Sequence, residues 1–530
     1  MPKLKNILLQ LSIILLFISL VIAMRFEPMT QTFQFDYDEG FNLMKAVLYS
    51  KGFSLYSQIW NDQPPFFTVI LSKWINLFGH SIFAARLLIL LFSAILIWCF
   101  YQIVFFELGN LPAIVATFLL FTSWLYIRLS ISVMIGIPSL ALAMLSIYFL
   151  YRYKQNYYKF YLILSGGCLA LSLQTKLFTV FLIPLIGLQI LASRSRSKEI
   201  KTNKRELLTG NREQGVWERD CYPNPNLQLI EDGVLDTHKE IDKLFLLKEI
   251  CLWLISLVLV YSLLAALYQQ FLNQEQLFIT HLKQPPDFRK ENFHNLQYLN
   301  YMIQQDYDYI FLAGIGIWAI IFQKQKKGLL PLTWLVTATL ILLKHQPIWY
   351  HYYPLIAIPI CWLAAYGVDL LYKSFYQNIY KSLKIINIKK IVLPASLVVI
   401  LIGLIIITPP NPRGSVPRNL ELMQMILKYK NFTNWVFTDN PMYAFYNDLI
   451  VPPEIAVMSY KRINSGDLTF TEMLAILNKY HPEQIILTRW TTQIKNDKNI
   501  MDYINNNYSI TYTNSTKTEE HYVLKNLQQS

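Results

Sequence analysis

The chain has 530 residues, 54% of them hydrophobic and only 15% charged, and its apolar residues gather into runs of about 16 to 22, which reads as a polytopic membrane protein and excludes a soluble class. The formal charge of +13 does not point to nucleic acid, because the basic residues sit between apolar runs rather than on a patch or a tail. Of the five cysteines, Cys99, Cys168, Cys251 and Cys361 lie within apolar runs and Cys221 in a polar stretch, with no CxxC and no extracytoplasmic pair, so neither a zinc site nor a disulfide framework is supported.

Lys3 and Lys5 precede an apolar run from Ile7 to Met24 that resembles a signal sequence in charge and core. No small-residue cleavage site follows cleanly, and the run is long enough to span, so it reads as a retained first helix. Together with this span at 6–24, spans are expected near 83–105, 111–128, 136–151, 160–175, 177–192, 249–269, 308–322, 328–343, 352–372 and 391–408, about eleven in all. Cytoplasmic loops carry the excess of Lys and Arg. A cytoplasmic N-terminus puts Arg152, Lys154 and Lys159, the cluster Arg194 to Arg205, Lys324 to Lys327 and Lys373 to Lys390 inside, leaving little beyond Arg128, Lys176 and Lys344 in short outer connections. Residues 25–82, 270–307 and everything after about 409 then lie outside a plasma (inner) membrane.

The stretch FDYDEGFNLMKA (35–46) follows the first span and carries Asp36, Asp38 and Glu39. Ionisable groups at membrane depth cost roughly 2.5 to 3.5 kcal/mol each, so they are usually paired or placed for function. Two readings stand: the acids solvate a loop or cap a helix starting near Gly40, or they form a site. Three acids in four positions, ahead of a long amphipathic loop, favour the site. Phe41, Met44, Val47 and Leu48 recur at helical spacing, and after QPP (63–65) the run FFTVILSKWINLFG puts Phe66, Phe67, Ile70, Leu71, Trp74 and Leu77 on one broad face. Such helices lie in the membrane interface and would roof a pocket, although ordinary packing helices share the periodicity.

Residues 193–247, charged and broken by Pro223 and Pro225, read as a flexible cytoplasmic insert. After TPPNPRG (408–414) the composition becomes that of a small soluble domain. Helical patterns at 419–430, 469–480 and 498–507 alternate with strand-like runs at 434–438, 484–488, 509–513 and 521–525. The expected architecture is therefore an α-helical polytopic membrane module (1–408) with a small extracytoplasmic α/β domain (409–530). Asp439 and Asn440, after the first of those strands, read as a turn.

The stretch from Asp38 to Leu88 resembles the first outer loop of the GT-C membrane glycosyltransferases, in the branch of the protein O-mannosyltransferases and the aminoarabinose transferases that modify lipid A. The residues that carry it are the pair Asp38 and Glu39, then Pro64 and Pro65, Phe78 and Gly79, and Ala84, Ala85 and Arg86, with weaker features in LQTKLF (173–178) and PIWYHYYPLIAIP (347–359). The resemblance implies an inverting glycosyltransferase that moves a sugar from a polyprenyl-phosphate donor to a hydroxyl of a lipid, protein or envelope glycan at the outer face of the membrane. Attack on an anomeric carbon needs a base for the acceptor proton, and a carboxylate within hydrogen-bond reach serves. A phosphate leaving group needs no general acid. Asp38 is expected to be the base and Glu39 to position the acceptor or the pocket.

The departing phosphate needs positive charge. Lys176, in an outer turn, is the candidate, with a snorkelling lysine as the equal alternative. Arg86 can pair with an acid or a phosphate. His345, Tyr350 and His351 cluster with Trp349 and Tyr352 at the outer end of two spans, where an aromatic belt explains the tyrosines as well as sugar contact does. The motif NDQPP adds Asp62 and Gln63 as substrate-binding candidates. Relatives carry a second acid after the third span, just before a proline; SVMIGIPSL (132–140) has Gly136 and Ile137 there. A divalent metal between two acidic loops is thus not supported, and Asp62 is the candidate substitute acid. The rival classes are a multi-span transporter, which would show internal repeats with broken helices, and a non-catalytic envelope polysaccharide assembly protein.

Overall fold

The computed structural model describes residues 29–192, 247–270, 276–277, 300, 307–344, 348–382 and 418–528. The expected spans at 6–24 and 391–408, residues 193–246 of the insert, the linker 408–414, most of the 270–307 loop and His345 lie outside them. Among the described residues four helices are long and apolar enough to cross a membrane: Ile82–Leu108, Leu247–Leu267, Lys326–Lys344 and Pro354–Ser374. Shorter apolar helices include Asn110–Thr122, Leu177–Ala192 and Tyr309–Phe322, and Gly136–Asn156 and Lys159–Thr175 complete the bundle.

Lipid gives helices no hydrophobic reason to associate, so close backbone approach and buried hydrogen bonds must hold them. Both occur here. Where Tyr307–Phe322 crosses the helix from Pro354, a Cβ on Gly316 would lie 1.9 Å from the Leu363 carbonyl oxygen, and one on Gly367 would lie 2.2 Å from that of Leu312. Only glycine permits that distance. Between Gly136–Asn156 and Lys159–Thr175, Ser139 meets Ser172 (3.2 Å) and Ser146 meets Ser165 (3.1 Å). At the far end of Ile82–Leu108, buried Glu107 accepts from Trp362 Nε1 (2.7 Å), the Tyr366 hydroxyl (2.9 Å) and the Tyr151 hydroxyl.

Two expectations need correction. The span expected at 111–128 is two helices, Asn110–Thr122 and Trp124–Leu129, because Ser123 leaves the helical region (φ −56°, ψ 123°) after the Thr122 hydroxyl has bonded back to the carbonyls of Phe118 and Leu119. The break lets the second piece carry Arg128 toward the acids. The helix Tyr37–Ser50, expected to lie at the membrane interface, is instead buried from Glu39 to Leu48, because its apolar residues occupy more than one face.

What covers it is the C-terminal unit. There, β1 (Val436–Thr438), β2 (Gln484–Leu487), β3 (Tyr508–Thr513) and β4 (Glu520–Leu524) form one sheet in the order β1–β2–β4–β3. The β1–β2 pair is parallel and the other two pairs antiparallel. The flanking helices Phe470–Tyr480, started by a Thr469/Glu472 capping box, and Lys498–Asn507 turn Met473, Leu477, Ile500 and Ile504 into a core with Phe437, Ile485 and Leu487. The short helix Pro441–Tyr446 lies against Tyr37–Ser50 so closely that a Cβ on Gly40 would sit 3.0 Å from Met442 N. Tyr446 also stacks on Phe33, with ring centroids 5.1 Å apart, and donates to its carbonyl.

Candidate active site

The site is built on the first turn of Tyr37–Ser50. Asp36 is the N-cap: its backbone is extended (φ −155°, ψ 153°) and its carboxylate accepts from Asp38 N (2.8 Å). The Tyr350 hydroxyl donates to its other oxygen, so the turn at 350–352 is tied to the helix start. Burial raises the Asp36 carboxyl above the usual range, against the lowering effect of the Tyr350 hydrogen bond and of Arg128. Arg128 lies 4.6 Å from the Tyr350 ring centroid and donates to the Phe35 carbonyl.

Residues one apart on a helix point about 100° apart, and the two acids of the pair separate accordingly. Glu39 turns into the bundle, where it accepts from Phe35 N (2.7 Å), Val133 N (2.8 Å), Arg86 Nε (3.2 Å) and Arg86 Nη2 (2.9 Å). Arg86 Nη1 donates to the carbonyls of Met29 and Thr32, both at 2.9 Å, and the guanidinium covers the Phe35 ring at 4.5 Å. The side chains of Glu39 and Arg86 are both fully buried. Every group in this pair is engaged within the protein, so it fastens the 29–39 segment to the Ile82–Leu108 helix and the 133 turn and presents nothing to a substrate. Of the two roles expected of Glu39, positioning the acceptor or the pocket, this geometry speaks for the pocket, and Arg86, expected to meet an acid or a phosphate, meets the acid.

Asp38 has the opposite fate. Among the described residues its carboxylate accepts no hydrogen bond, and it keeps partial solvent access. Burial pushes its carboxyl up to about 7, with Asp36 and Asp62 adding to the rise and Arg489 and Lys176 opposing it. Lys176 occupies an extended residue between Lys159–Thr175 and the next helical turn. Its ammonium rests 4.4 Å from the Tyr352 ring centroid and 5.1 Å from that of Phe178. Lys176 is only 8% exposed, and burial brings its ammonium down to about 8 despite the pull of Asp38 and Asp62. A snorkelling lysine would reach water. This one lies against two aromatic rings, within reach of the charges of Asp38 and Asp62.

Asp62 is partly exposed, and its charge acts on Asp38, Lys45 and Lys176. Gln63 enters through its carbonyl oxygen, which accepts from the Tyr56 hydroxyl (2.9 Å) and Asn61 Nδ2 (2.7 Å). Buried Lys45, which sequence reasoning passed over, donates to Asn61 Oδ1 (3.0 Å). His351 packs its ring 4.6 Å from that of Tyr352, and its carbonyl faces Gly136.

The other residue that sequence reasoning missed is Arg489, on the turn after β2. Its guanidinium lies 4.3 Å from the Tyr37 ring centroid and 5.6 Å from that of Phe41. Asp439, read from sequence as a turn residue, holds that turn: its carboxylate accepts from the backbone of Thr488 (2.9 Å), Arg489 (2.8 Å) and Trp490 (2.6 Å). Nothing local marks Arg489 as part of a site; only the docking of the sheet brings it there. Among the described residues no group of three or more His, Cys, Asp or Glu side chains could hold a metal ion. The charges of Lys176 and Arg489 act on Asp38, and Gly136 and Ile137 offer no ligand, so the side chains of the described residues do not fit a divalent metal.

Residues 62–210 match the family described as dolichyl-phosphate-mannose-protein mannosyltransferase. The fold is similar to the crystal structure of ArnT from Cupriavidus metallidurans bound to undecaprenyl phosphate, at 10% identity and a TM-score of 0.59, over 96% of this chain and 98% of that one. It is likewise similar to the same ArnT in the apo state, at 12% identity and a TM-score of 0.57, over 96% and 97% of the two chains. A comparison with curated protein sequences gives no match. Residues 62–210 are thus similar to a mannosyltransferase family, and the fold of the chain is similar to that of a membrane protein crystallised with undecaprenyl phosphate.

Proposed function

We propose that the chain moves a sugar from a polyprenyl-phosphate donor to a hydroxyl of a lipid, protein or envelope glycan, with inversion at the anomeric carbon. The observation that carries this is the contrast within the acid pair: Glu39 is saturated by Arg86 and two backbone amides, while Asp38 beside it has no hydrogen-bond donor among the described residues and faces two cations. The similar ArnT holds undecaprenyl phosphate, which supports a lipid phosphate as the donor's carrier here.

In this reading the acceptor oxygen attacks the anomeric carbon from the face opposite the phosphate and its proton passes to Asp38. The bond from that carbon to the phosphate oxygen breaks with its electron pair staying on the phosphate, and Lys176 meets the charge that develops there. A base near neutrality suits the task, since about half or more of it is ionised at pH 7 to 8 and it is still basic enough to take a proton. Asp62 and the 350–352 turn border the place where sugar and acceptor meet. The site faces outward from the plasma membrane, with the N-terminus cytoplasmic, residues 1–408 forming the transferase module and 409–530 an extracytoplasmic domain. Purified protein supplied with a labelled polyprenyl-phosphate sugar tests the reaction: label moves to a hydroxyl acceptor and free polyprenyl phosphate accumulates in step. A donor that stays intact under every acceptor tried contradicts it.

A further inference from the structure

The C-terminal unit contributes more than a cover. Its parallel strands β1 and β2 end side by side over the acid-bearing helix, and in open α/β sheets the ends of parallel strands are where ligands are received. At β1 the chain continues into Asp439, and at β2 into Thr488, Arg489 and Trp490. Asp439 takes up the three backbone amides of that second turn, so the turn itself has no amide left for an anion. What it holds out is the Arg489 side chain, laid on Tyr37, the residue next to Asp38. Arg489 Nη1 is shielded from solvent and has no hydrogen-bond partner among the described residues. A buried N–H without an acceptor is a loss that a bound ligand would make good.

We propose that the Arg489 guanidinium binds the phosphate of the lipid donor together with Lys176, so that the C-terminal unit supplies one side of the active site's anion hole. This rests on the lipid-phosphate reading of the same site. The chemistry fits. A guanidinium offers a planar fork matched to two phosphate oxygens, whereas an ammonium is a point charge. Tyr37 fixes the plane of the fork from beneath, and Asp439 fixes the backbone that carries it. Lys176 approaches from the bundle and Arg489 from the sheet, with Asp38 between the two in charge if not in contact, since each lowers its pKa. A phosphate that leaves between these cations would have its charge met from both sides. Substrate binding thereby depends on the docking of the C-terminal unit, and the two parts of the chain form one site.

The test is direct binding of undecaprenyl phosphate to purified full-length protein in lipid nanodiscs, for the wild type, Asp38→Asn, Arg489→Lys and Arg489→Gln, with melting temperatures measured alongside. Wild type and Asp38→Asn are expected to bind alike. Arg489→Gln should bind roughly 30-fold more weakly, the loss typical of charge-assisted bonds, and Arg489→Lys should fall between. The acid limb of kcat/KM should also move to higher pH in Arg489→Gln, because a cation that lowers the Asp38 pKa has been removed; a purely structural role would leave that limb in place. If Arg489→Gln melts early, Arg489→Lys carries the comparison. Unchanged lipid-phosphate binding in a folded Arg489 variant overturns the proposal, and a raised acceptor KM in that variant would place the anion on the acceptor instead. Failure of the wild type to bind undecaprenyl phosphate would remove the donor reading itself, and this proposal with it.

Discussion

Acids at the two ends of the Ile82–Leu108 helix are closed off by hydrogen bonds, and a third, next to one of them, is not. At the far end Glu107 is closed off by Tyr151, Trp362 and Tyr366, and Glu39, near the helix start, is closed off by Arg86 and two amides. One position from Glu39, Asp38 is left open, with Lys176 and Arg489 near but not bonded to it. Charge in a membrane protein is expensive wherever it sits. Where the protein answers it with hydrogen bonds the acid holds helices together, and where it withholds them the acid remains able to exchange a proton. The identity of the residue does not separate the two cases. Its set of donors does.

This comparison can be broken first at Asp38. Asp38→Asn should lower kcat by roughly 100- to 10,000-fold, the range for loss of a general base, with the melting temperature and donor binding unchanged; a comparable loss of folded protein would mean that Asp38 is structural. Glu39→Ala should do the reverse. It strands the Arg86 guanidinium in the bundle, at about 3 to 5 kcal/mol, which a thermal melt of the detergent-purified protein would record, while whatever fraction folds retains lipid binding. Lys176→Met should reduce kcat by about 100-fold through loss of the charge that meets the leaving phosphate, measured in single-turnover transfer. Glu107→Gln should cost about 1 to 3 kcal/mol of stability and leave kcat per folded molecule where it was, sharpening the contrast from its other side.

The pH dependence of kcat/KM gives the smallest and most specific effect. Asp38, raised to about 7, must be ionised to act, so activity should rise with pH through about 7; Lys176, lowered to about 8, must be protonated, so activity should fall above about 8. A narrow bell between those limbs is expected. In Lys176→Met the alkaline limb should vanish while the acid limb stays and moves upward, because that cation also lowers the Asp38 pKa.

Much of the helical layout was legible because apolar runs announce themselves: Ile82–Leu108 and Leu247–Leu267 fall within a few residues of the expected spans. The strands at 436–438 and 484–487 were legible for the same reason, as short apolar runs between turn residues. Hydropathy could not see the break at Ser123, since the residues on both sides are equally apolar and the kink comes from the hydroxyl of Thr122. Nor could it see that Tyr37–Ser50 would be covered by the short helix Pro441–Tyr446 of the C-terminal unit instead of lipid, as both partners reward the same side chains. Within the candidate site, Asp38 and Lys176 drew attention by their placement beside spans. The division of labour between Asp38 and Glu39 was not, because it depends on amides and an arginine that only the folded chain delivers. Arg489 was invisible for the same reason in stronger form: it lies in a segment with the composition of any small soluble domain, and its meaning arises from where Asp439 holds its turn.

The most direct test of the central claim is single-turnover transfer from a labelled polyprenyl-phosphate sugar by purified protein, comparing wild type with Asp38→Asn at equal occupancy by donor. The account predicts release of polyprenyl phosphate by the wild type and almost none by the variant, although both hold the donor. Equal rates from the two would show that the open carboxylate takes no proton, and would contradict it.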